Sequence, residues 1–253
     1  MIRLALFASG NGTNVEQIAE YFKNNPEVRI EIVIANKPDA FVRKRAARLG
    51  IEDIYFDKED FYQTNKVLDC LIARRIDWII LAGFLWLVPQ NLLNQYESRI
   101  INIHPALLPK YGGKGMYGHH VHQAVVANGE RQTGITIHLV NEEYDKGKIL
   151  FQASCNISKQ DKVEDVANKI HALEKTRFPS VIASTIRRYS PLTSDLLAFA
   201  QRKTKKAPRH ALKTPIKIKP YFLQNKVLTR KNRSFIKPKP SLNKVKSRKN
   251  RPH

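Results

Sequence analysis

The sequence predicts an α/β fold. It reads as a mostly parallel, Rossmann-like sheet with helices on both faces and a late antiparallel hairpin, followed by a disordered basic carboxyl-terminal tail. Three observations lead there. Short β-branched runs alternate with amphipathic stretches through the first half of the chain. Two neighbouring strand-like runs, Gly134–Val140 and Lys148–Asn156, then follow one another across a short acidic connection. Beyond Pro191, regular periodicity ends.

Taken in order, Ile2–Ala8 is a short apolar run ended by a glycine turn, as expected of a buried strand. Asn14–Lys23 has a helical period. Arg29–Ala35 is β-branched and alternates, and Ala40–Leu49 is helical until Gly50 stops it. Glu59–Arg74 reads as one helix, Asp77–Ala82 as a dense apolar strand and Arg99–Ile103 as a further strand. Strands separated by helices make βαβ units, and these build parallel sheets covered on both faces. Gly134–Val140 alternates strictly and pairs with Lys148–Asn156 through Asn141–Gly147. Asp161–Tyr189 has a long helical period that aligns Val166, Ile170, Leu173 and Arg177 on one face, and Pro179 inside it predicts a kink or a split.

Charge is distributed unevenly. The chain of 253 residues has a formal charge of +22, yet Arg202–His253 holds 19 of the 44 Lys and Arg and none of the 22 Asp and Glu. Residues 1–190 carry only +4, so the overall charge describes the tail and not what the folded part binds. The organisation expected is a catalytic domain over 1–190 and a basic tail over 191–253, with Ile216–Leu223 as a brief extended stretch. Two cysteines, Cys70 and Cys155, exclude a disulfide framework and read as small buried apolar side chains. Met1–Phe7 is too short for a signal-peptide core, and no apolar run approaches the ~20 residues of a membrane span. A soluble cytoplasmic protein is expected.

Three loops carry chemistry, all at the carboxyl ends of strands, where open α/β sheets gather ligands. Ser9-Gly10-Asn11-Gly12-Thr13-Asn14 leads from strand to helix. Its glycines let the backbone approach an anion, and the amides opening the helix face it. A tight turn with no ligand fits the same residues. Asn102-Ile103-His104-Pro105 sets an amide and an imidazole two residues apart, on one side of a strand. That pair suits acyl transfer, the amide donating to an oxyanion and the imidazole donating to it or moving a proton. A capped strand end stiffened by proline is the plainer reading. In Glu142–Gly147, Asp145 can orient His104 and favour its charged form if the hairpin connection folds back; otherwise these acids are simply solvated.

The segments ASGNGTN, IANKPDA, LAGFLWLVP, INIHPALLPKY, TGITIHLVNEEYDKGKILFQ and HALEKTRFPSVI stand in the order found in glycinamide ribonucleotide formyltransferases, and the chain resembles that family over about residues 1–189. The resemblance implies a formyl transfer from 10-formyltetrahydrofolate to the amine of glycinamide ribonucleotide, in purine synthesis, without a metal. It implies Asn102, His104 and Asp145 as the catalytic trio. Gly12, Thr13 and Asn14 would hold the ribonucleotide phosphate, and Glu174 its glycinamide end. Leu85, Trp86, Leu87 and Val88, with Asn141 and Tyr144, would wall the folate pteridine site.

Several departures stand out. Trp86 occupies a position often polar or basic in relatives. Tyr111–Gly118 is about five residues longer than the common form, and is read either as a lid or as a plain insertion. A phosphate-binding arginine has no counterpart around Gln63–Lys66. His119, His120 and His122 imitate a metal cluster, but no cysteine or carboxylate completes one. The rival enzyme is a methionyl-tRNA formyltransferase whose basic tail binds RNA. Against it, the tail lacks alternating strands and the phosphate loop would have no purpose. A deformylase would carry a domain ahead of the first strand. The tail itself is open to non-specific nucleic-acid contact, to no partner at all, or to being a read-through extension. The chain is expected to be a monomer or a homodimer.

Overall fold

The computed structural model describes residues 1–189. The basic tail expected over 191–253, with its extended stretch Ile216–Leu223, lies outside the described residues.

The seven strands are β1 (Ile2–Ala8), β2 (Val28–Ala35), β3 (Asp53–Tyr55), β4 (Trp78–Leu81), β5 (Ile100–His104), β6 (Gln132–Leu139) and β7 (Ile149–Asn156). They form one sheet in the order β3-β2-β1-β4-β5-β6-β7. Every pair from β3 to β5 is parallel, whereas β5–β6 and β6–β7 are antiparallel. This is the mostly parallel sheet with a late hairpin that the periodicity predicts. The helices are α1 (Thr13–Phe22), α2 (Phe41–Leu49), α3 (Lys58–Tyr62), α4 (Lys66–Ala73), α5 (Gln90–Gln95), α6 (His119–Ala127) and α7 (Val163–Tyr189).

Side chains of β1 alternate between two cores. Leu4, Leu6 and Ala8 pack with Val15 and Ile18 of α1, Val42 of α2, and Ile170, Phe178 and Ile182 of α7. Ala5 and Phe7 pack on the other face with Phe61 of α3, Val67 and Leu71 of α4, and Leu92 of α5. Burial on both faces explains the continuous apolar runs Leu4–Ala8 of β1 and Trp78–Leu81 of β4. Each fully buried side chain of this size contributes roughly 1.5–3 kcal/mol, so the sheet centre is the stable frame from which the site is hung.

The structure departs from these expectations in several places. Glu59–Arg74 is two helices, because the Thr64 hydroxyl donates to the Asp60 carbonyl and accepts from the Lys66 amide, competing with the helical ladder. Pro179 does not split α7. It costs a backbone hydrogen bond, but Phe178, Pro179 and Ile182 are buried against the sheet and packing carries the helix through. Arg177 is exposed and Leu173 half-buried; the buried stripe runs instead through Val166, Ile170, Glu174, Phe178, Ile182 and Ile186. Cys70 and Cys155 are half-buried rather than fully buried, and burial pushes both thiols up. Strand β3 and helices α5 and α6 have no counterpart in the sequence reading. They are short, and their apolar positions are too few to establish a period.

Among the described residues, no helix is long and apolar enough to cross a membrane.

Candidate active site

β1 is flanked by β2 on one side and β4 on the other, so the chain leaves it in opposite directions. Such a switch point opens a crevice at the carboxyl ends of the strands. The amide of Ser9 donates to the Gly83 carbonyl at 2.9 Å, and its hydroxyl accepts from the Leu85 amide at 2.9 Å, tying the loops after β1 and β4 together. The resulting cleft holds about 660 Å³, room for a ligand of nucleotide or folate size.

One end of the cleft is the turn Gly10–Asn14. Gly12 has φ +76° and lies so close to α2 that a β-carbon there would stand 2.4 Å from Cγ2 of Val42. Only glycine meets both demands. Thr13 and Asn14 open α1, and the Asn14 amide donates to Oε2 of Glu174 at 3.1 Å, linking the turn to α7. Glu174 is 7% exposed and also accepts from Nδ1 of His171 at 3.2 Å. That carboxylate holds the His171 imidazole above its ordinary value.

The centre of the cleft is built by β5, β6 and the connection after β6. Asn102 and His104 both line it. Asp145 reaches His104 because Asn141–Gly147 folds back tightly. Leu139 donates to the Lys148 carbonyl at 2.8 Å, and a β-carbon on Gly147 would lie 1.6 Å from the Leu139 carbonyl oxygen. Asp145 Oδ2 stands 3.4 Å from His104 Nδ1 and accepts from the Gly113 amide at 2.9 Å. The other ring nitrogen of His104, Nε2, donates to the Tyr111 carbonyl at 2.8 Å.

Burial pushes the His104 imidazole below its ordinary value, and the Asp145 carboxylate offsets this only in part. Asp145 favours the charged form of the ring, as expected of a carboxylate folded back onto it, but desolvation of a ring 3% exposed is the larger effect. For Asp145, burial alone would raise the carboxyl. The neighbouring His138 imidazole, the His104 ring and the Gly113 amide together bring it below the usual carboxylate value.

The sequence reading missed His138. It sits opposite Asn102 in the β5–β6 register. Its Nδ1 donates to the Leu139 carbonyl at 2.8 Å, leaving Nε2 to accept from the Asn102 amide at 3.1 Å; Nε2 is also 3.6 Å from Asp145 Oδ1. A polar residue interrupting the apolar run GITIHLV is the signal that could have found it. His122, on α6, was also passed over as a functional residue. It is 3% exposed, lines the cleft near His171 and Glu174, and burial lowers its imidazole.

The other end of the cleft is apolar. Leu85, Trp86, Leu87 and Val88 line it with Val140 and Tyr144. Trp86 is in edge contact with Phe61 and Phe84 and lies 5.8 Å from the Tyr62 ring. Asn141 is not in the lining; its Oδ1 accepts from the Glu143 amide at 3.2 Å and shapes the turn. Lys66, in the region where an arginine was sought, is ion-paired with Asp60. The glycine-rich stretch from Gly113 to Gly118 roofs the cleft. Among the described residues, no group of three or more His, Cys, Asp or Glu is arranged to hold a metal ion.

An amide, an imidazole and a carboxylate converging between an anion-facing turn and an apolar wall define a transferase of acyl or one-carbon units. The family comparison agrees. Residues 2–182 match the model described as formyl transferase, and the chain belongs to that family. It is similar to the phosphoribosylglycinamide formyltransferase of Bacillus subtilis, 35% identical over 187 residues covering 72% of this chain and 93% of that protein. It is 37% identical to the chloroplastic phosphoribosylglycinamide formyltransferase of Arabidopsis thaliana over 188 residues, covering 72% of this chain but only 64% of that protein's length. The crystal structure of phosphoribosylglycinamide formyltransferase from Streptococcus pneumoniae superposes with a TM-score of 0.65 at 32% identity, covering 73% of this chain and 98% of that one.

Proposed function

We propose that the chain transfers the formyl group of 10-formyltetrahydrofolate to the amine of glycinamide ribonucleotide, giving formylglycinamide ribonucleotide and tetrahydrofolate, a step of purine synthesis. The observation that carries this reading is one continuous cleft. It has an anion-facing turn at one end, an apolar wall at the other, and Asn102, His104, His138 and Asp145 between them. The relatives named above carry the same activity in their names, which supports it.

In this reading Gly12, Thr13 and Asn14 hold the phosphate, and Glu174 faces the glycinamide end. Leu85–Val88 and Tyr144 bind the pteridine, with Asn141 shaping the turn beside it. The amine attacks the formyl carbon, a carbon–nitrogen bond forms, and negative charge gathers on the formyl oxygen. Asn102 has one amide hydrogen on His138 and can turn the second toward that oxygen. His104 can donate to the same oxygen once Nε2 leaves the Tyr111 carbonyl. As the bond to the folate nitrogen breaks, the amine gives up one proton and the folate nitrogen receives one. Asp145 orients His104 and holds water for this exchange. No metal enters the scheme.

Incubating the purified chain with 10-formyltetrahydrofolate and, separately, glycinamide ribonucleotide or methionyl-tRNA tests the reading. Formylated ribonucleotide is the expected product. Formylation of the charged tRNA alone would transfer the assignment to the rival enzyme.

A further inference from the structure

The turn Gly10–Asn14 is held from behind by a side chain that never enters the cleft. Arg45, on α2, donates from Nε to the Asn11 carbonyl at 2.8 Å and from Nη2 to the Asn11 side-chain oxygen at 3.0 Å. Its Nη1 is ion-paired with Glu16 of α1, a carboxylate that Arg48 also engages. The guanidinium lies 5.1 Å from the centre of the Phe41 ring, and the side chain is only 15% exposed. Beside it, Val42 donates its amide to the Gly10 carbonyl at 3.0 Å.

Two successive carbonyls of the turn thus point at α2. In a trans peptide unit the carbonyl and the amide hydrogen point in opposite directions. Fixing the carbonyls of Gly10 and Asn11 on α2 therefore turns the amides of Asn11 and Gly12 toward the cleft that both residues line. Among the described residues, no protein acceptor takes the amides of Asn11, Gly12, Thr13 or Asn14. The two arginines and one glutamate behind the turn also leave a surplus of one positive charge there.

We propose that Arg45 is a positioning residue for the phosphate of the ribonucleotide: by gripping both oxygens of Asn11 it presets the amides that receive the anion. This rests on the reading of Gly12–Asn14 as the phosphate holder. The planar fork is essential, since it takes a carbonyl, an amide oxygen and a carboxylate in one plane; a lysine supplies the charge without that geometry.

The test is steady-state kinetics of the full chain and its Arg45→Ala and Arg45→Lys variants, using glycinamide ribonucleotide and its dephosphorylated riboside. Hydrogen bonds to charged groups are worth about 1.5–3 kcal/mol, so Arg45→Ala is expected to raise KM for the ribonucleotide roughly 10- to 100-fold. The values of kcat and of KM for the folate stay near those of the parent. With the riboside, which has no phosphate to hold, kcat/KM is the same in parent and variant. Arg45→Lys falls between the two, and carries the test alone if Arg45→Ala does not fold. An unchanged KM in the variants, an equal loss with ribonucleotide and riboside, or full recovery by lysine overturns the positioning role. A parent chain that forms no formylated ribonucleotide overturns the functional reading itself, and the role of Arg45 with it.

Discussion

Asn102 and His138 face each other across β5 and β6, the Asn102 amide nitrogen 3.1 Å from Nε2 of His138. With Nδ1 of His138 donating to the Leu139 carbonyl, the neutral ring presents Nε2 as the acceptor. The asparagine side chain is thereby held with its nitrogen, not its oxygen, directed along this line. An oxyanion donor must be aimed before the charge appears, and in the proposed reaction a neighbouring strand would do this aiming for Asn102.

His138→Ala is expected to lower kcat by roughly 10-fold or more while leaving both KM values close to those of the parent, since an aimed donor matters most in the transition state. Steady-state kinetics with each substrate varied in turn gives the split. A rise in KM with unchanged kcat would show that His138 serves binding instead.

Gly12→Ala places a β-carbon against Val42 and forces an alanine into the left-handed region. Strain of this kind costs on the order of 1–3 kcal/mol. The expected outcome is a lower melting temperature together with a raised KM for the ribonucleotide, because the strained turn is also the one proposed to hold the phosphate. A variant with parental melting and parental KM contradicts the close packing of this turn on α2.

Much of this architecture is legible in the residues, and what is not has a common physical cause. The strands β1, β2, β4 and β6 are visible as apolar or alternating runs, and the Gly10–Asn14 turn and the Asn102-Ile103-His104 pair are visible because their parts are adjacent in the chain. His138 escapes notice because its partner lies 36 residues away, and only the β5–β6 register brings the two together. The bond between Asn14 and Glu174 spans 160 residues; the family resemblance indicates each residue, but only the fold joins them. The break at Thr64 turns on one hydroxyl choosing a backbone carbonyl, a local competition that periodicity does not register.

Stability should depend on pH through the buried imidazoles. Burial lowers both His104 and His122 below the ordinary value of 6.5. The unfolded chain then binds more protons than the folded one as pH falls through 6.5 toward the lower folded values, so stability present at neutral pH is lost across that window. His171, raised by Glu174, acts in the opposite sense, stabilising below 6.5 and fading as pH rises, but its side chain is 60% exposed and its contribution is screened. Denaturant midpoints measured between about pH 7 and about pH 5 should fall for the parent and fall less for a His122→Asn variant. Parallel pH profiles for the two would remove His122 from this account.

Glu174 couples the Gly10–Asn14 turn to α7, accepting from Asn14 and His171 while buried. Glu174→Ala leaves both donors without an acceptor and should destabilise the chain by about 1–3 kcal/mol in equilibrium unfolding. Glu174→Gln, which keeps an acceptor oxygen, should recover part of that loss. Equal destabilisation by both would mean that the negative charge alone matters.

The proposed reaction requires the side chains around Asn102 to stabilise charge developing on a transferred formyl group. Single-turnover measurement of formyl transfer to glycinamide ribonucleotide, with both substrates saturating, compares the parent with Asn102→Ala most directly. The rate should fall by about 100-fold or more, the usual cost of losing one oxyanion donor, with both substrates still bound. A variant that transfers the formyl group at the parental rate would contradict the account.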